Sequence, residues 1–138
     1  MEPANGADEP QGGISMQDLT VNLENMPGTL AQLGEALGNA GINIEGVCGL
    51  AGASGAEVHI LVQSAELARE ALADAGVESG AERDVEVVSI VDQPGEMGRH
   101  LRRISEAGVN VDLVYLATST RLVLGSSDIE GLRAALHG

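Results

Sequence analysis

The sequence predicts an α+β fold built from two copies of one β-α-β-β-α-β unit with antiparallel sheets, the second copy lacking an evident last strand. Three observations carry this reading. Short stretches alternate apolar and polar residues, as half-buried strands do, and give way to stretches with apolar residues at helical spacing. The segment around Pro27-Gly28 recurs around Pro94-Gly95. The 138 residues are 43% hydrophobic, ample for a globular core, yet include no Phe, no Trp and one Tyr, so small aliphatic layers must do the packing.

Residues 1–15 are rich in Gly, Pro and acid and hold almost nothing to bury, which predicts a disordered tail. The first unit is expected over residues 16–85. Leu19, Val21 and Leu23 alternate with polar residues in a strand that Asn25-Met26-Pro27-Gly28 breaks. Leu30, Leu33, Leu37 and Ala40 then mark a helix closed by Gly41. Ile42 to Val47 reads as a second strand, Gly49 to Gly55 as a glycine-rich turn, and Ala56 to Val62 as a third strand. Ser64 is placed to cap a helix carrying Leu67, Ala68, Ala71 and Leu72, and Ala81–Val85 completes the unit.

The second unit, residues 86–138, starts over with a strand at Val87–Val91. Its first helix carries Met97, Leu101 and Ile104 and is capped by Gly108. Val109 to Leu116 and Arg121 to Leu124 are the following strands, and Asp128 caps a helix with Ile129, Leu132 and Leu136. The shift that carries Pro27 to Pro94 also carries Gly28 to Gly95, Gly41 to Gly108, Asn43 to Asn110 and Cys48 to Tyr115. Coincidences of Pro-Gly and Gly-x-Asn over such a run point to duplication. The strand Val87–Val91 is left without its usual neighbour, to be covered by the other copy, another subunit, or the first copy's own final strand.

Charge narrows the function. Twenty-one acidic residues face seven Arg and no Lys, a net charge of −14, which repels phosphate backbones and anionic lipid. Neither nucleic acid nor a membrane surface is expected as a partner. Cys48 is the only cysteine, so no disulfide within the chain or cysteine metal cluster is expected, and no cofactor is implied. The apolar runs are strand-sized and the N-terminus is acidic, which predicts a cytoplasmic protein.

The strand–Pro-Gly–helix junctions suit a carboxylate. A helix N-terminus presents unpaired N–H groups and partial positive charge, and Gly28 and Gly95 let a ligand approach the backbone. Taken singly, each Pro-Gly simply turns a strand into a helix. The repeat adds Asn25 and Asp92 two positions before the prolines, and Asn43 and Asn110 at the entries to the second strands. Amides there can donate to a carboxylate and accept from an ammonium, or merely cap turns. The candidate ligand-binding residues are Asn25, Met26, Pro27, Gly28, Thr29, Leu30 and Asn43 in the first unit. In the second they are Asp92, Gln93, Pro94, Gly95, Glu96, Met97 and Asn110.

These residues resemble the ACT domain, a ferredoxin-like ligand-binding unit of amino-acid-regulated enzymes and stand-alone tandem proteins. Leu23-Glu-Asn25-Met-Pro27-Gly28-Thr-Leu30 with Gly41-Ile-Asn43-Ile44 is similar to the serine-sensing domain of phosphoglycerate dehydrogenase. Asp92-Gln-Pro94-Gly95 with Val109-Asn110-Val-Asp112 is closer to the regulatory region of aspartokinase. The resemblance implies an effector held across an interface between units by Asn25 and Asn43, and by the repeat Asp92 and Asn110. A histidine of the dehydrogenase family is replaced by Leu23 and Ile90. The resemblance further implies a regulatory module, not an enzyme. Such a module binds a small amino acid or related carboxylate, pairs as a homodimer, and signals to a partner enzyme or transporter. The alternative is a protein-interaction module that has lost its ligand and docks through the open sheet edge and Arg99, Arg102 and Arg103.

The first turn, uncharged, suits a small zwitterion; the second, with Asp92 and Asp112, suits exposed positive charge or is structural, so the first is the expected binder. Cys48 is expected in a core or interface position. His59, His100 and His137 show no ligand spacing, and no nucleophile–base arrangement is evident, so no catalytic or metal residues are expected.

Overall fold

Apolar alternation and helical spacing produce the elements they predict over residues 16–138, which the computed structural model describes; the expected tail lies outside the described residues. In chain order these are β1 (Gln17–Leu23), α1 (Thr29–Asn39), β2 (Gly46–Gly52), β3 (Gly55–Val62), α2 (Ala65–Asp74) and β4 (Ser79–Asp84). The repeat follows with β5 (Glu86–Ser89), α3 (Glu96–Glu106), β6 (Leu113–Ala117), β7 (Arg121–Gly125) and α4 (Ile129–His137). The two side-chain caps form: Ser64 accepts from the Leu67 N–H and Asp128 from the Gly131 N–H.

Two strands are displaced from their expected positions. β2 begins at Gly46, not Ile42, and runs through most of the stretch read as a glycine-rich turn, leaving Ala53-Ser54 as the turn. The glycines obscure a strand held by its pairing with β3 from Gly46–Leu61 to Gly52–Gly55. β6 likewise starts at Leu113, so Val109 to Asp112 is a connection rather than strand.

All seven strands join one antiparallel sheet in the order β4-β1-β3-β2-β6-β7-β5. Each unit thus has its first strand beside its third and its third beside its second. Laid flat, such a sheet would hold β4 and β5 roughly 29 Å apart. Yet Val85 alone joins them, and the two residue steps from Asp84 to Glu86 reach about 7 Å. The sheet therefore rolls up, helices outward and the opposite face inward.

Burial agrees with this. Leu19, Val21, Ile60 and Val62 pack under α1 and α2 with Leu33, Leu37 and Leu72, while Leu122 and Leu124 pack under α3 and α4 with Ile104 and Leu132. A third cluster, Leu61, Val85, Tyr115 and Val123, lies on the face that carries no helix, and the two units bury it against each other. The unit–unit seam is closed at one end. Gly46 pairs with Ala117, the Thr118 N–H donates to the Glu45 carbonyl (2.9 Å), and Arg121 meets the Glu45 carboxylate at 3.1 Å. A Cβ on Gly46 would sit 2.9 Å from that of Ala117, so the close approach requires glycine. Beyond this point β2 is exposed along its length and, among the described residues, pairs only with β3.

β5 bonds only to β7 among the described residues. The first unit's last strand does not cover it: β4 pairs with β1 and stands at the other end of the hydrogen-bonded order.

Candidate functional site

Gly28 and Gly95 stand at the N-caps of α1 and α3 with φ of 96° and 90°, a left-handed turn in which the first helical N–H goes back to the turn, Thr29 to the Met26 carbonyl (3.5 Å) and Glu96 to that of Gln93 (3.3 Å). No heavy atom lies within 4 Å of where a Cβ would be on either, so the approach is open. Asn25, Met26, Pro27 and Leu30 are exposed, and Thr29 closes the turn by donating to the carbonyls of Glu24 (2.8 Å) and Met26 (3.2 Å). Around the second turn Asp92, Gln93, Gly95 and Met97 line a hollow of about 180 Å³ whose far wall is Leu116 and Thr120. Pro94 is exposed in that turn. Glu96 is taken by Arg99 at 2.8 Å, which holds its carboxyl below the usual range.

Within a unit, the structure separates the paired amides. Asn43 lies past the C-terminal end of α1 and Asn25 before its start, with about 16 Å of helix between. Asn43 lines its own hollow of about 310 Å³ with Glu45, Gln63 and Ser64. The seam compensates. Glu45, two residues after Asn43, is bonded to Thr118, which lies between the Leu116 and Thr120 walls of the Asp92 hollow. One unit's Asn43 end therefore meets the other unit's Pro94-Gly95 end. Asn110 is exposed, its carbonyl accepting from the Ser126 hydroxyl (2.6 Å), and stands two residues before Asp112, which Arg83 of the first unit meets at 2.8 Å.

A second constellation has no motif in the sequence. On the inward face Asp18 is fully buried and accepts from the Tyr115 hydroxyl at 2.7 Å and from His59 Nδ1 at 2.9 Å. His59 Nε2 reaches Glu57 at 2.8 Å. Burial opposes charge on the imidazole, but hydrogen bonds and attraction from Asp18 and Glu57 outweigh it, and His59 titrates above its ordinary value. Burial and then the Asp18 hydrogen bond push the Tyr115 phenol far above the usual range. Cys48 is exposed, against expectation, and stands directly across from His59. The coincidence of Cys48 and Tyr115 in the repeat is the one sequence signal for this site, since it marks one inward-facing place with two chemistries.

Among the described residues there is no group of His, Cys, Asp and Glu able to hold a metal ion, and no helix long and apolar enough to cross a membrane. Arg99 pairs with Glu96, and Arg103 donates to the Leu136 carbonyl. His100 sits where the first unit has Leu33; its Nδ1 is buried without a partner, and burial, then Arg99 and Arg103, lower its pKa.

Residues 14–134 match the family model described as an ACT domain pair. No curated protein matches the chain. Among solved structures it is similar to protein BT0572 from Bacteroides thetaiotaomicron (25% identity, TM-score 0.77, 89% of this chain and 87% of that one). It is also similar to the ligand-free regulatory subunit of aspartate kinase from Thermus thermophilus (18%, TM-score 0.66, 91% and 92%). E. coli aspartokinase III in complex with aspartate and ADP shares the fold over 89% of this chain and 31% of that one, at 14% identity and a TM-score of 0.57.

Proposed function

The chain belongs to the ACT domain pair family, a regulatory module, and from that premise we propose that it binds a small amino acid or related carboxylate where its two units meet. The ligand carboxylate lies at the open N–H groups behind Gly95, with Asp92 facing the ammonium and Asn43 reaching in from the first unit. Asn25, Met26, Pro27, Gly28, Thr29 and Leu30 form the corresponding half-site with Asn110. The observation that carries this reading is the Glu45–Thr118 junction, which supports joining an Asn43 end to a Pro-Gly end. It shifts weight from the first turn, the expected binder, to the second.

Binding adds contacts across the seam and so favours the closed pairing of the units. That change passes to a partner enzyme or transporter in the cytoplasm, with the exposed Met26, Leu30 and Val91 available for a homodimer contact. Isothermal titration of the folded chain with each of the twenty amino acids should give saturable heat for at least one, weakened tenfold or more by Asn43→Ala and Asp92→Ala. No heat from any of them overturns the proposal.

A further inference from the structure

The inward face of the first unit carries a cavity of about 470 Å³ lined by Asn22, Leu23, Cys48, Leu50, Glu57 and His59, among others. None of its lining residues belongs to either Pro-Gly turn. The repeat shows that the fold does not need its polar floor. Asp18, Cys48 and the facing His59 correspond in the second unit to Val85, Tyr115 and the facing Val123, all buried in an apolar cluster. A buried carboxylate costs stability unless it is paired and hydrogen-bonded. Here it is paired, and the pairing leads outward from Asp18 through His59 to Glu57 at the cavity.

We propose that this cavity is a second binding site, for a small organic ammonium with a short apolar stem, and that its occupancy is communicated to the second unit through His59, Asp18 and Tyr115. The charge is dictated by the lining. Among the described residues no arginine borders the cavity, and both nitrogens of His59 are already on carboxylates, so an anion finds no free cation there. Glu57 uses Oε2 on His59, which leaves Oε1 for an ammonium, and the Asn22 carbonyl is a second acceptor on the same face. Leu50, directly across from Glu57 and exposed, supplies the apolar surface. An ammonium on Glu57 competes with His59, and the imidazole shares its other nitrogen with the carboxylate that holds Tyr115. Glu57, where the cation binds, is thus three hydrogen bonds from a strand of the other unit.

Tyr115 is the only Phe, Tyr or Trp in the chain, so its emission reports this junction alone. The test is titration of the full chain with n-butylamine at constant ionic strength, followed by Tyr115 fluorescence, with n-butanol as the uncharged control. A saturable change is expected with the amine and none with the alcohol. Glu57→Gln should weaken it tenfold or more, whereas Glu106→Gln, which removes one exposed charge outside the cavity, should leave it within twofold. No saturation by about 20 mM, where even a millimolar site is filled, overturns the proposal. So does an equal response to butanol, or an unchanged affinity in Glu57→Gln. The outcome is independent of the amino-acid titration: either site can fail while the other binds.

Discussion

On the sheet's inward face the two units place different chemistry at equivalent positions. The first has Asp18, Cys48 and His59; the second has Val85, Tyr115 and Val123. One half of this face is a hydrogen-bonded relay opening onto a cavity, and the other is dry packing. The helix-covered faces differ in the opposite sense. There the first unit is apolar at Leu33, and the second buries His100 with an unpartnered nitrogen. A duplicated fold keeps its backbone under either filling, so where polar groups are buried in one copy only, packing is not the reason they are there.

The largest effects come from exchanging the two fillings. Val85→Asp buries a carboxylate with no partner and should cost about 4 kcal/mol in denaturant unfolding. Asp18→Ala strands the Tyr115 hydroxyl and His59 and should cost about 3 kcal/mol. Converting the whole relay (Asp18→Val, His59→Val, Tyr115→Phe) removes every polar partner together and should come within about 1 kcal/mol of wild type. A triple variant as unstable as Asp18→Ala would show that the relay is structural after all.

The two histidines should make stability depend on pH in opposite directions. His59 titrates above the ordinary 6.5, so its contribution is full below that value and is lost as pH rises through its folded pKa. His100 titrates below 6.5, so the stability of its neutral, buried form is present above that value and is lost as pH falls through its folded pKa. Unfolding midpoints of wild type, His59→Gln and His100→Leu across this range check both signs. His100→Leu, which restores the first unit's choice, should stabilise by about 1 kcal/mol near neutrality and by more in acid. Parallel curves for wild type and His100→Leu would contradict the assignment.

Much of the fold is legible in the sequence because it rests on local patterns. Leu19 and Val21 alternate, Leu33 and Leu37 share a helix face, Ser64 and Asp128 cap, and the Pro-Gly and Gly-x-Asn repeats declare the duplication. β2 is not fully legible, because glycines favour turns and only its neighbour β3 keeps Gly49 to Gly52 extended. The relay is illegible for a different reason. Alternation places Asp18 on the face away from the helices, which ordinarily meets water. Only the roll of the sheet, imposed by the one-residue link at Val85, buries that face. Likewise the motif names Asn25 and Asn43 without the distance between them, and the length of α1 sets them at its opposite ends.

A ligand at the proposed site acts by holding the two units together at the seam. Amide hydrogen exchange of Thr118, whose N–H donates to the Glu45 carbonyl, measures that directly. With the amino acid that binds at saturation, exchange at Thr118 should slow at least tenfold while that of the Leu72-bonded Val77 N–H, in the helix-side core of the first unit, stays within twofold. Equal exchange at Thr118 with and without bound ligand would contradict that mechanism.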